Sequence, residues 1–440
     1  MFHEHDRFDS LFSTPFDRKT LLKRSALTGA ALALAPWVAT SSAATSARAI
    51  KIGLVTPLTG PLAEFGAAND FTLAQMKRIF AKGIKIGGST FPVKIVQRDA
   101  QSNSNRAATV AQRLIFDDNI DLMLVGDTPD IVNPVADICE ANGVPCISSL
   151  APWQPYFFGR KGDPAKGFQW TYHFFWGLED IISVFFDMWG QVKTNYKVGC
   201  LFPNDPDGSA WGDKKFGFPG ACVTAGYKTV DPGRYPNLSD DFSAQIAKFK
   251  ASKSEIITGV PIPPDFTTFW TQALQQGFQP KVASIGKALL FPASVEALGK
   301  NGAGMSTELW WSPFHATKSS LTGQSAAQLA ALWERTTKKQ WTQPIGFGHA
   351  LFEVAADVLR RTADIDDKAS IVAAIKTTNL NTVVGRVNWK DGPVPNVAKT
   401  RLAGAQWQKG TKHRYELKVV SNRLVPGLKR HGRLQPIRYT

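Results

Sequence analysis

Seven histidines and four cysteines are scattered through 440 residues with no spacing that would gather metal ligands, and no Cys-x-x-Cys pair is present. The motifs that build a serine nucleophile, a zinc-bound water or a phosphate cradle (G-x-S-x-G, H-E-x-x-H and G-x-x-x-x-G-K-[ST]) are absent. Gly286-Lys287 has neither the leading glycine nor the trailing Ser or Thr. An enzyme, a cofactor and a metal are therefore not expected. The chain is rich instead in groups that hold a small molecule without changing it. Trp153, Tyr156, Phe157, Phe158, Trp170, Tyr172, Phe174, Phe175 and Trp176 crowd one passage. Such rings offer a large apolar face and, in Trp and Tyr, one polar tip. Part of the cluster must also be core.

Those groups need a scaffold, and the apolar pattern supplies one. Strand-like runs at 50–55, 93–96, 122–125 and 144–147 alternate with helical periodicity. That periodicity is carried by Phe71, Leu73, Met76 and Phe80, by Ala107, Val110, Ala111 and Leu114, and by Ile131, Val135 and Ile138. The alternation predicts a parallel sheet covered on both faces. Loops 56–61, 126–129 and 148–153 then leave the carboxyl ends of its strands, where open α/β sheets hold ligands. After a passage at 153–176 that reads as irregular, a second α/β unit follows, with strands at 198–202, 255–259 and 282–286 and helices at 242–249 and 266–276. The expected fold class is α/β, two doubly wound Rossmann-like lobes with a ligand cleft between them.

Composition narrows the setting. Hydrophobic residues at 43% and charged residues at 20% describe an ordinary globular chain of two or three domains. The formal net charge is +15; six of the 51 Lys and Arg and four of the 36 Asp and Glu precede Ile50, leaving +13 beyond it. The cations are spread out, densest at 409–438, and no zinc-finger spacing or aromatic RNA-binding signature accompanies them. A solvated basic surface is expected, not a nucleic-acid partner. Residues 1–49 read as an export signal: Arg18, Lys19, Lys23 and Arg24, then an apolar stretch at 26–38, then small residues with cleavage after 43, 44 or 49. Residues 17–23 resemble a twin-arginine motif with Lys19 in place of the second arginine, and the ordinary secretory route stays open. No cysteine precedes Cys139 to carry a lipid anchor, so a soluble periplasmic protein is expected. Four cysteines, Cys139, Cys146, Cys200 and Cys222, permit three pairings that spacing does not separate.

The run Ile50-Lys51-Ile52-Gly53 through Thr59-Gly60-Pro61 and Phe65-Gly66, followed by Asp99 with Gln101-Ser102, then Gly143-Val144-Pro145 and Ile147-Ser148, and later Asn388-Trp389, carries a resemblance. In this order and spacing it resembles the branched-chain amino-acid-type solute-binding proteins of ABC importers, the type I periplasmic binding proteins. The resemblance extends from residue 50 to about 420. It implies two lobes joined by a hinge of three crossovers near 172–178, 306–312 and 396–402. The first lobe would be built from 50–172 and 312–396, the second from 173–311 and 397–440, including the basic tail. It also implies capture of a small-molecule ligand by hinge closure and delivery to permease and ATPase subunits in the inner membrane, with a monomer expected. A periplasmic sensor module feeding a signalling partner is the alternative.

The resemblance places the site at Phe65, Asp127, Thr128, Ser149, Leu150, Ala151, Trp153, Trp176, Trp211, Val260, Pro261 and Lys287. Phe65 is expected to form an apolar wall, Thr128 to donate a hydroxyl, Ala151 to offer its amide, and Trp153 a stacking face. Asp127 is out of place against an incoming carboxylate. Pro152 stands where relatives have a hydroxyl and can donate from neither side chain nor backbone. The segment 284–289 lacks the acid that would pair a ligand ammonium. Lys287 is free there for an anionic group, or else simply solvated, and 260–264 gives an apolar rim. Phe347 and His349 are weaker candidates. These departures favour an aromatic or apolar carboxylate over a branched-chain amino acid.

Overall fold

The computed structural model describes residues 48–439; the export signal read at 1–49 lies almost wholly outside them. The first apolar run forms β1 (Ile50–Thr56), flanked by β2 (Val93–Asp99) and β3 (Leu122–Gly126), with Ile52 opposite Ile95 on one side and Leu122 on the other. β3 is buried along its whole length, as a strand must be when helices cover both faces of its sheet. β4 (Cys146–Ser149) and β5 (Thr171–Phe174) continue the sheet. The second sheet takes β6 (Lys197–Leu201), β7 (Lys228–Val230), β8 (Ile256–Gly259), β9 (Val282–Ile285) and β10 (Ser306–Leu309). The chain then returns with β11 (Val397–Ala398) to the first sheet, and with β12 (Ala403–Lys409) and β13 (Tyr415–Ser421) to the second.

The strand orders are β11-β5-β4-β3-β1-β2 and β13-β12-β10-β9-β8-β6-β7. Every pairing in the first sheet is parallel; in the second, β10–β12 and β12–β13 are antiparallel. The chain passes between the sheets three times. It leaves β5 for the helix Leu178–Trp189, which packs on β10, β12 and β13. It leaves β10 through Trp310-Trp311 for the helices Ala326–Thr337 and Pro344–Arg361, the latter lying on β3 and β4. It leaves β11 through Lys399 to Leu402 for β12.

One reading of the sequence needs correction. The passage 153–176 is not irregular: it contains the short helix Trp153–Phe157 and β5, whose rings are buried between strand and helix. The basic tail is tied down, with Leu428, Leu434 and Ile437 buried and His431 and Ile437 donating backbone N–H bonds to Val419 and Lys281. All four cysteines are buried and unpaired.

One apolar core runs through both lobes. The Phe65 ring meets Phe291 edge-on at 5.0 Å between centroids, and Ser294 Oγ donates to Glu64 Oε2 at 3.1 Å, so the first lobe touches the second directly. The lobes are closed.

Candidate functional site between the lobes

The carboxyl ends of β1, β3 and β4 face those of β6, β8, β9 and β10 across the cleft. Behind β1, the loop carrying Phe65 is fixed by Asp99 and Ser102. Asp99 accepts from Leu58 N–H (2.9 Å), Gln101 N–H (2.8 Å) and Thr59 Oγ (2.6 Å), while Ser102 Oγ accepts from Leu62 N–H (3.0 Å) and donates to the Thr59 carbonyl (2.7 Å). Partial burial pushes the Asp99 carboxyl up, but these bonds outweigh it and hold it below the usual range. Gly60 sits at φ +89°, and a Cβ there would lie 2.7 Å from Ser102 Oγ, so only glycine completes this turn. The Asp99 and Gln101-Ser102 signature thus positions the turn that presents Phe65.

β3 ends in Asp127-Thr128, at the start of the helix Pro129–Ala141. The Thr128 N–H donates to Asp127 Oδ1 (2.6 Å), and Pro129 has no N–H to satisfy. The Thr128 hydroxyl does not cap the helix; it is buried at the cleft without a partner, as is Asp127 Oδ2. At the end of β4 the serines are spent internally. Ser149 Oγ donates to the Phe174 carbonyl (2.6 Å), Ser148 Oγ lies 2.8 Å from His173 Nδ1, and His173 Nε2 donates to the Ala151 carbonyl (2.7 Å). Burial lowers the His173 pKa to about 3, so the ring stays neutral.

In the second lobe Asp205 caps the helix Pro206–Trp211 by accepting from Gly208 N–H (2.7 Å). Trp211 is thereby seated at the cleft against Phe218 and Phe185, and a Cβ on Gly286 would lie 2.7 Å from its ring. Lys287 follows β9 at φ +56°, only 4% exposed, with Nζ 3.0 Å from Asp205 Oδ2 and 2.9 Å from Asp207 Oδ2. Burial works against its charge, but Asp205, Asp207 and Asp130 overcome it and raise the pKa, so the ammonium is held firmly charged. Its backbone N–H donates to Glu308 Oε1 (3.3 Å). Burial lifts Glu308 to about 7 and Asp130 to about 6, and pushes Asp127 well up. The reading of Lys287 as a solvated lysine or a free anchor for an anion is corrected: two buried aspartates already hold it.

The closed cleft is lined by Phe65, Thr128, Leu150, Trp176, Trp211, Val260 and Lys287 from among the expected residues, and by Pro152, Phe175, Asp207, Leu290, Glu308 and Trp310 besides. Asp127, next to Thr128 in the chain, is fully buried and does not line the cleft. Ser149, Ala151, Trp153 and Pro261 do not line it; Trp153 spends its indole N–H on Glu179 Oε1 (3.2 Å). Phe347 packs on Phe174, Phe175 and Trp310, and His349 Nε2 lies 2.7 Å from Ser319 Oγ, so both are structural. Glu308 and Trp310 carried no motif, although their place at the end of a strand entering a crossover is a usable signal. The space left between the lobes here is about 20 Å³, room for one water, so a ring-sized solute enters by parting the lobes. A larger cavity of about 420 Å³ lies at His315, Arg386 and Arg401, away from these strand ends.

Two sheets meeting at their carboxyl ends over a closed hinge define a ligand trap, and comparison with known proteins names its lineage. A family profile described as periplasmic binding protein matches residues 49–412. The chain belongs to the periplasmic binding protein family. Three solved structures share this periplasmic binding protein fold. The leucine-binding protein LivK of Thermotoga maritima is 18% identical, with a TM-score of 0.68 over 84% of this chain and 99% of that one. LivJ of Streptococcus pneumoniae, in complex with isoleucine, is 17% identical, with a TM-score of 0.64 over 85% and 99%. A solute-binding protein of R. palustris in complex with 4-hydroxybenzoate is 15% identical, with a TM-score of 0.68 over 89% and 98%. No curated protein sequence matches the chain. Among the described residues no helix is long and apolar enough to cross a membrane.

Proposed function

We propose that this protein is the extracytoplasmic solute-binding component of an ABC importer, capturing a small organic ligand with an aromatic or apolar body by hinge closure and handing it to a membrane permease. The observation that carries the ligand class is the ring-lined cleft. Phe65, Phe175, Trp176, Trp211 and Trp310 meet there, and the indole N–H groups of Trp176, Trp211 and Trp310 are buried without partners. Flat apolar faces favour a ring. Unspent N–H donors and the Thr128 hydroxyl favour an acceptor such as a carboxylate on that ring. With Lys287 committed to Asp205 and Asp207, the carboxylate is gripped by hydrogen bonds and not by an opposite charge. A branched-chain amino acid also brings a carboxylate but offers no flat face to the rings. The relatives solved with isoleucine and with 4-hydroxybenzoate show that this fold serves both ligand types. Thermal unfolding across a panel of ring acids and amino acids tests the choice, because a ligand that binds only the folded state raises the midpoint. Ring acids are expected to raise it; a rise with leucine or isoleucine and with no ring acid refutes the proposal.

A further inference from the structure

Two carboxyl oxygens, Asp127 Oδ2 beside Thr128 in the first lobe and Asp207 Oδ1 in the second, have no hydrogen-bond partner among the described residues. Both side chains are buried, at 0% and 3% exposure. The remaining oxygen of each is occupied, Asp127 Oδ1 by the Thr128 N–H (2.6 Å) and Asp207 Oδ2 by Lys287 Nζ (2.9 Å). The residues come from opposite lobes, at the ends of two helices, Pro129–Ala141 and Pro206–Trp211, that touch across the cleft. Asp207 lines the cavity itself, beside the unpartnered Thr128 hydroxyl and Trp211 N–H.

The charges around them do not fill the gap. Among the described residues Lys287 is the one cation lining the cleft, and it is shared by Asp205 and Asp207. Asp130 approaches from the first lobe, and Glu308 from the second with its oxygens engaged by Lys287 N–H and the Thr307 hydroxyl (3.0 Å). Beside the unspent indole N–H groups and the Thr128 hydroxyl, the closed site therefore also holds carboxyl oxygens left without a partner. Buried polar groups are paired in native proteins, so orphans gathered at a cleft mark what a ligand supplies.

We infer, building on the reading of this cleft as an aromatic-ligand site, that the ligand carries a hydrogen-bond-donating substituent, a hydroxyl or an ammonium, seated between Asp127 and Asp207. A carboxylate alone has no proton to give, so a ring acid fills the site only when a donor group stands elsewhere on the ring.

Calorimetric titration of the full mature chain with benzoates that differ only at the 4-position provides the test: 4-methyl, 4-hydroxy and 4-aminomethyl. The hydroxy or the aminomethyl compound binds at least about tenfold more tightly than the methyl compound, the scale of one hydrogen bond to a charged group; whichever of the two wins identifies the donor. Asp127→Asn, which keeps an oxygen for the Thr128 N–H, and Asp207→Asn, which leaves Asp205 on Lys287, each erase that preference, read as the ratio of donor-bearing to methyl affinities within the same variant. Equal binding of the methyl and donor-bearing compounds, or a preference unchanged in both variants, overturns the inference and leaves the aromatic reading intact. No binding by any benzoate alongside saturable binding of leucine overturns both.

Discussion

Replacing Lys287 by methionine keeps the side-chain length and removes the charge. In the folded protein the ammonium lies within 3.0 Å of two carboxylates whose side chains are 3% and 4% exposed. Removing one partner of a buried ion pair strands the other, at a cost of about 3–5 kcal/mol, whereas losing a solvated lysine costs at most about 1 kcal/mol. Two carboxylates are stranded here, so the upper half of the range is expected at pH 8. The pH dependence has a definite sign. In the variant, Asp207, whose proton affinity burial raises even beside Lys287, keeps a folded-state proton affinity above its unfolded one. The folded state then binds more protons, and stability falls as pH rises. In the wild type the Lys287 pKa is raised, so its contribution is fully present throughout pH 5–8. Urea unfolding followed by tryptophan fluorescence at pH 5 and pH 8 reads both quantities. The loss should be smaller at pH 5, and adding Asp205→Asn with Asp207→Asn should recover most of it, since asparagine also caps a helix. A loss under about 1 kcal/mol at pH 8, or one that does not change with pH, refutes the assignment of Lys287 as an internal counter-ion.

Further outcomes follow from particular contacts. Phe291→Ala removes the 5.0 Å edge contact with Phe65 that joins the lobes; an aromatic pair contributes about 0.5–1.5 kcal/mol, so the ligand-free protein shifts toward the open form, visible as a larger radius of gyration by X-ray scattering. Gly286→Ala puts a methyl 2.7 Å from the Trp211 ring; overpacking of about 1–3 kcal/mol and weaker ligand binding are expected from denaturant titration and calorimetry. Glu353 is buried, accepting from Val383 N–H (2.9 Å) and Ser320 Oγ (2.8 Å), with its pKa raised by burial to about 7. Because the folded state holds that proton more tightly, wild-type stability declines between pH 4.5 and 7, by a contribution on the order of 3 kcal/mol, and Glu353→Gln flattens the decline in a pH series of urea midpoints.

Much of the scaffold was legible because it depends on local pattern. Buried runs such as 122–125 and helical faces such as Ala107, Val110, Ala111 and Leu114 carry their own period, and the family resemblance then pointed to Phe65, Thr128 and Trp211, which the fold brings to one cleft. What escaped depends on contacts between distant residues. Nothing near Lys287 in the chain announces Asp205 and Asp207, some 80 positions earlier, so a doubly paired buried lysine read as a free one. Ser149, expected in the site, is consumed by the Phe174 carbonyl of β5, a strand hidden in an aromatic passage. Glu308 and Trp310 lay on a strand end whose place beside the cleft depends on how the second sheet is ordered.

The claim that the cleft between the lobes holds a ring-bearing ligand is tested most directly by calorimetric titration of the wild type and of Trp211→Leu with a series of ring acids and with leucine and isoleucine. Saturable one-to-one binding of a ring acid to the wild type, weakened at least about tenfold in the variant, is the expected result. Saturable binding of leucine or isoleucine with no ring acid bound, or a ring acid bound equally well by both proteins, would contradict it.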